Sequence, residues 1–369
     1  MALQRLALQR LALQRLALRR LALHRYLSTT PRRLRPHDVL FFGSDHFSIR
    51  CIEELLARRD SLLKTIRVVT PPDNLGAKHP SQRQVPLKVF CAERGIESTD
   101  APPKSLRNWS VPTLPDGRPF DVAVVVSFGY FLPRRVVQAF PTAAVNVHPS
   151  LLPKYRGASP IQYAVLNGDD KTGVSIIELS TDKFDAGRIL KQSVVPIPKN
   201  VYFDELHDTL AAQGAVDLAD VLADIEAFRQ NAADQDESLV TKAPRFEKHD
   251  AYIQWHTQPK GLIYALHRAI GSRIPLITKF RGKLCQVREL DCPLTPMQEQ
   301  LLGLPSSPVP PGALFFSKAQ KTLFARCVDG WLGVRAVRVE GKRDQDADSF
   351  NNGYQIQNFR DCFESLPKP

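Results

Sequence analysis

Short apolar runs that alternate with helical spacing constrain this chain more than any other feature. Residues 39–42 (VLFF) are apolar and end at Gly43, and residues 51–59 then carry apolar side chains at helical intervals. Residues 66–70 read as a second strand, 87–94 as a helix, and 122–127 and 144–147 as two further strands. This order predicts an α/β domain with a mainly parallel sheet. In such sheets ligands sit in the crevice at the carboxyl ends of the strands, where Gly43, residues 127–130 and residues 146–150 emerge. No G-x-G-x-x-G is present, so a dinucleotide fingerprint is missing.

Helix-like sequence continues over residues 203–227, and the polar stretch 230–238 reads as a linker. Beyond it, residues 284–287, 313–316, 323–328 and 332–339 are short segments of β type separated by Gly and Pro loops, which predicts a small β-barrel. Residues 305–311, rich in proline, read as a surface loop. The expected organisation is an N-terminal address over 1–35, a catalytic domain over 36–228, a linker over 229–245 and a second domain over 246–369.

Charge is distributed unevenly. Residues 1–37 hold nine arginines with no lysine and no acid, which leaves +3 of the formal +12 for everything else. Residues 3–23 repeat a five-residue unit, LALQR passing to LALRR and LALHR, and Ser28, Thr29 and Thr30 follow. Arg-rich, acid-free, helix-forming sequence of this kind is the composition of a mitochondrial transit peptide, and a matrix location is expected. Arginine interrupts every leucine-rich window, which excludes a secretory apolar core and a membrane span, and a repeat of five is not a coiled-coil heptad. Residues 241–344 carry 17 Lys/Arg against 8 Asp/Glu, an asymmetry that fits an RNA-binding appendage on a near-neutral catalytic unit. The six cysteines are scattered without C-x-x-C, so neither a disulfide framework nor a metal site is expected.

The densest chemistry follows the strand at 144–147. Asn146 and His148 stand two apart on extended backbone, so both side chains face the same way. An amide donor beside an imidazole suits a reaction in which a carbonyl oxygen gains negative charge. Asp185, in the turn FDAG after the strand-like residues 173–179, could reach the same crevice to orient His148 and help move a proton.

At these residues the chain resembles methionyl-tRNA formyltransferases. NVHPSLLPKYRGASPIQ, TGVSIIELSTDKFDAG and VVVSFGYFLP are similar to that family's active-site segments, and the SLLP stretch with its Asn, His and later Asp belongs to the wider formyltetrahydrofolate-using superfamily. ESLVTKAPRFEKHDAYIQW resembles the segment leading into the family's tRNA-binding domain, and DGWL with the later EGK resembles its closing strands. The resemblance implies a Rossmann-like formyltransferase domain followed by an OB-like barrel. It assigns Asn146, His148 and Asp185 as catalytic, and Ser150, Leu151, Leu152 and Pro153 to the folate pocket, with Phe128, Gly129 and Tyr130 lining it. N10-formyltetrahydrofolate is the implied formyl donor, initiator methionyl-tRNA the implied partner, and a monomer is expected. Lys78, Lys342 and Arg343 are candidates for tRNA phosphate contacts. Lys78 falls where the family carries an arginine, so the bidentate fork is lost. Residues 270–275 and Gly43-Ser44-Asp45 also depart from the family pattern. A formyltetrahydrofolate hydrolase and a glycinamide ribonucleotide formyltransferase would share the trio, and a non-catalytic RNA-binding protein is a further alternative.

Overall fold

Every residue from 39 to 42 is apolar because the strand they form is covered on both faces. The computed structural model describes residues 35–74, 84–305 and 309–367; the expected N-terminal address up to residue 34, Lys78, and residues 306–308 of the Pro-rich loop lie outside them. The first domain runs β1 (His37–Gly43), α1 (His46–Ala57), β2 (Leu63–Thr70), α2 (Pro86–Arg94), β3 (Ser98–Asp100), β4 (Val122–Val126), β5 (Ala143–His148), α3 (Pro160–Leu166), β6 (Lys171–Glu178), β7 (Ile189–Pro196) and α4 (Phe203–Ala223). The sheet order is β3-β2-β1-β4-β5-β6-β7. Its first five strands pair in parallel, while β6 and β7 add antiparallel at the β5 edge.

Side chains alternate between two cores. Val39, Phe41, Val122, Val124, Val145 and Val147 face one, together with Phe47 and Ile52 of α1 and Leu206, Leu210 and Leu218 of α4. Leu40, Phe42, Ala123, Val125 and Ala144 face the other, with Phe120, Phe128 and Phe140. Asn146 and His148 continue the register of Ala144, which brings them to the second face at the carboxyl end of β5. Asp45 caps α1 by accepting from the Ser48 amide, and the Ser48 hydroxyl donates to the Val126 carbonyl at 2.7 Å. The ends of β1 and β4 are thereby joined where the strand order reverses. The helix expected over 203–227 breaks at Asp224 (φ −145), whose carboxylate caps a new short helix, Ile225–Gln230.

The polar stretch expected as a linker is docked along the first domain. Ala233 bridges Ile189, Lys242 bridges Arg156, and the Ala243 amide donates to the Arg156 carbonyl at 2.8 Å. Asn231, Gln235, Asp236, Glu237, Ser238 and Thr241 engage their side chains in hydrogen bonds, so composition alone gives it the look of a free tether. The strap ends at Phe246, which stacks on Tyr163 with ring centroids 4.9 Å apart.

The second domain comprises α5 (Lys260–Ile270), β8 (Leu276–Phe280), β9 (Lys283–Leu290), β10 (Leu314–Ser317), β11 (Thr322–Cys327), β12 (Gly330–Val339), β13 (Gln345–Asp346), α6 (Ala347–Tyr354) and β14 (Phe363–Glu364). Its antiparallel order is β10-β11-β12-β9-β8-β14, with β13 on β12. The Leu314 amide donates to Asp361 at 2.9 Å and the Phe363 amide to Gly312 at 2.8 Å, so the sheet returns upon itself. Trp255, Phe280, Phe350 and Phe363 fill its interior, and the Trp255 indole donates to Thr278 Oγ1 at 2.9 Å. α5 packs on α3, and Arg268 donates to the Val201 carbonyl at 2.9 Å, which seats this domain on the first.

Candidate active site

Asp185 Oδ1 lies 3.2 Å from Asn146 Nδ2 and 3.5 Å from His148 Nδ1, so the three residues singled out in the sequence meet at one oxygen. His148 Nε2 is 2.9 Å from the carbonyl oxygen of Tyr155. A carbonyl can only accept, which assigns a proton to Nε2 and leaves Nδ1 facing Asp185. Asn146 commits one amide hydrogen to Asp185 and keeps the other. His148 is 4% exposed, so few water molecules compete for these contacts.

Asp185 stands on the loop between β6 and β7 with φ 54, a left-handed conformation that Asp enters more readily than most residues bearing a side chain. Three contacts hold it. The Gly157 amide donates to Oδ2 at 2.9 Å, and Gln235 Nε2 donates to the Asp185 carbonyl at 2.8 Å and to the Gly187 carbonyl at 2.7 Å. Gly157 has φ 127, and a Cβ there would lie 2.6 Å from the Ala243 carbonyl, so only glycine lets the strap approach. At the foot of the loop, Glu178 pairs with Arg188 and Arg229 at 2.7 and 2.8 Å. Burial alone would raise the Glu178 carboxyl, but the two guanidiniums outweigh it and hold it below the usual range.

The trio forms the polar end of a cavity of about 540 Å³ at the carboxyl ends of β1, β4 and β5. Phe128, Gly129 and Tyr130 line it, on a turn that starts at Ser127 (φ 48) and is pinned by the Ser44 hydroxyl on the Ser127 carbonyl. Ser150, Leu151, Leu152 and Pro153 do not line it. The Ser150 hydroxyl donates to the Lys154 carbonyl at 2.6 Å, Ser175 Oγ donates to the Ser150 carbonyl, and the Leu152 amide donates to Ser175 Oγ. Leu151 packs over Gly173. This segment, with a cis Leu152–Pro153 bond, folds the chain back so that Tyr155 presents its carbonyl to His148.

Lys183, Phe184 and Arg245 also line the cavity, and nothing in residue type or spacing singles them out. Lys183 and Phe184 sit inside the quoted segment that ends in FDAG, while Arg245 is one basic residue among many until the strap carries it to the cavity. Gln235 was unmarked too, being a polar residue in a polar stretch. Lys342 and Arg343 are exposed on the turn after β12 and do not line the cavity, and Lys78 lies outside the described residues. Among the described residues no cluster of His, Cys, Asp and Glu could hold a metal ion, and no helix is long and apolar enough to cross a membrane.

Residues 38–222 match the family Formyl transferase, and residues 245–355 match Formyl transferase, C-terminal domain. The chain is 33% identical over 330 residues to the mitochondrial methionyl-tRNA formyltransferase of Homo sapiens, covering 88% of this chain and 79% of that one. It is 31% identical over 334 residues to the methionyl-tRNA formyltransferase of Synechococcus sp. (strain JA-3-3Ab), covering 90% and 99%. Among solved structures, HypX from Aquifex aeolicus in complex with tetrahydrofolic acid aligns with a TM-score of 0.53 at 15% identity, over 88% of this chain and 48% of that one. WlaRD, a sugar 3N-formyl transferase, aligns with a TM-score of 0.53 at 14% identity, over 84% and 100%. At such identities these two likenesses concern the fold alone. With both halves matched in order and the relatives covered over most of their length, the chain belongs to the methionyl-tRNA formyltransferase family.

Proposed function

We propose that this chain transfers the formyl group of N10-formyltetrahydrofolate to the α-amine of methionine on initiator tRNA in the mitochondrial matrix. The observation that carries the reading is the sharing of Asp185 Oδ1 between Asn146 and His148 at the polar end of a cavity walled by aromatic rings. At about 540 Å³ the cavity is within the range that holds a molecule of this size, and the adjacent rings of Phe128 and Tyr130, 5.0 Å apart, give its wall an apolar patch suited to a pterin or benzoyl ring. Its folate occupant would supply a formyl carbon activated by a nitrogen leaving group.

The residues of the chain account for the rest. The free amide hydrogen of Asn146 is placed to donate to the formyl oxygen as charge builds there. His148, oriented by the Tyr155 carbonyl, presents Nδ1 to the same space. Asp185 receives on Oδ1 a proton lost by the attacking amine, directly or through His148, while its Oδ2 accepts from the Gly157 amide. The proton then passes to the departing nitrogen.

The hydrolase and glycinamide ribonucleotide readings give no role to residues 245–355, which match the C-terminal formyl transferase domain. The non-catalytic reading leaves the assembled trio unexplained. Lys342 and Arg343 are proposed to meet tRNA phosphates. The deciding experiment is formyl transfer to methionyl-tRNA by the chain lacking residues 1–35, with His148→Ala and uncharged tRNA as controls. Transfer that vanishes in both controls supports the reading; formate released in place of formyl-methionyl-tRNA overturns it in favour of a hydrolase.

A further inference from the structure

Gln235 has every hydrogen-bonding position of its amide engaged. Nε2 donates to the carbonyls of Asp185 and Gly187 at 2.8 and 2.7 Å, and Oε1 accepts from Arg156 Nε and Nη2 at 3.0 and 2.8 Å. The guanidinium can only donate and the two carbonyls can only accept, so the amide has one possible orientation. Arg156 is itself braced by Glu237 at 2.7 Å, two residues further along the strap. Gln235 touches no reacting group, since it reaches the main chain of the turn and not its carboxylate. That turn is tight: Asp185 holds φ 54, and Gly187 passes so close to Glu178 that a Cβ there would lie 1.7 Å from the Glu178 carbonyl.

We propose that Gln235 is a positioning residue for the reaction: by bracketing the main chain of residues 185–187 it fixes the Asp185 carboxylate between Asn146 and His148. The strap that bears it continues through Thr241 and Ala243, which bond the main chain at Tyr155 and Arg156, to Arg245 at the cavity. The segment joining the two domains therefore supplies part of the catalytic geometry, in addition to tethering them. The inference rests on the formyl-transfer reading above.

The test compares wild-type chain, Gln235→Ala and Gln235→Glu in steady-state formyl transfer, with thermal melting of each. Glu at this position still accepts the Arg156 fork but cannot donate to the two carbonyls, so it separates donation from anchoring. Both variants are expected to lose kcat by about 10-fold to 100-fold, the scale of a small displacement of a catalytic group, with KM for formyltetrahydrofolate held within about twofold. If Gln235→Ala does not fold, Gln235→Glu decides. Full kcat in Gln235→Glu overturns the proposal, as does a rise in KM accompanied by a falling melting temperature, which would mark a structural strap only. Wild-type chain that transfers no formyl group overturns the underlying reading and this inference with it, an outcome distinct from active wild type with active variants.

Discussion

At the scale of single residues, the trio divides by how much of each position is local. Asn146 and His148 are legible because a strand has a period of two, and β5 sets both on the face of Ala144. Asp185 is legible only as an acid in a turn, since its approach to His148 depends on three contacts from residues 157 and 235. Replacing Asn146 by Ala is expected to slow transfer by about 100-fold to 1000-fold, the usual cost of one lost donor to developing charge. Asp185→Asn, which keeps the shape and removes the acceptor, is expected to abolish measurable transfer while folate still binds. Stopped-flow transfer and calorimetric folate binding on the same preparations check both; an Asn146→Ala enzyme within tenfold of wild type would contradict the donor role.

Among the elements, those with a strong local period were visible in the sequence and those defined by partners were not. β4 is apolar throughout, and β1, β2 and β5 each hold a shorter apolar stretch (residues 39–42, 68–69 and 143–145) where both faces are covered, so they appear as runs. β7 is half-buried at an edge, with Val194 at 61% exposure, so neither a run nor a clean alternation marks it. α4 is legible in the sequence but ends four residues before the expected 227, because Asp224 stops the helix through a cap and not through a Gly or Pro signal. The strap is the clearest case, since polar side chains serve a docked segment and a free linker equally well. Gly157→Ala tests the strap as an element, with φ 127 and the Ala243 carbonyl both against a methyl group. It is expected to destabilise the chain by about 2–4 kcal/mol and to slow transfer, measured by denaturant melting and by kcat together. Unchanged stability would mean that the strap can lift from the domain without cost.

For the whole molecule, the seat between the domains carries a pH dependence. His267 on α5 lies edge-on to Tyr202, 5.9 Å away. Burial, with a smaller contribution from Arg288, pushes its pKa down to about 4 from 6.5. Below pH 6.5 the unfolded chain takes up this proton before the folded one does. The stabilisation is thus complete above about 6.5 and is lost as the pH falls toward 4, on the order of 3 kcal/mol in all. His267→Gln is expected to flatten the melting temperature between these two pH values; an equal slope in both proteins would contradict it. RNA binding should weaken with salt, and Lys342→Ala with Arg343→Ala should reduce the slope of log affinity against log salt by about one each. An unchanged slope would remove both from the phosphate-contacting surface.

The return of the second-domain sheet upon itself also sets the timing of its biogenesis. The ring closes through residues 361–364, which come after every other strand of the barrel in the chain. Until they emerge from the ribosome, residues 279–280 of β8 and residues 312–314 lack the partners that close them in the finished fold. Such open edges pair readily with other chains. A nascent domain of this design therefore stays vulnerable to mispairing until nearly all of it has been delivered, and a stop codon just ahead of Phe363 would leave it permanently at that stage.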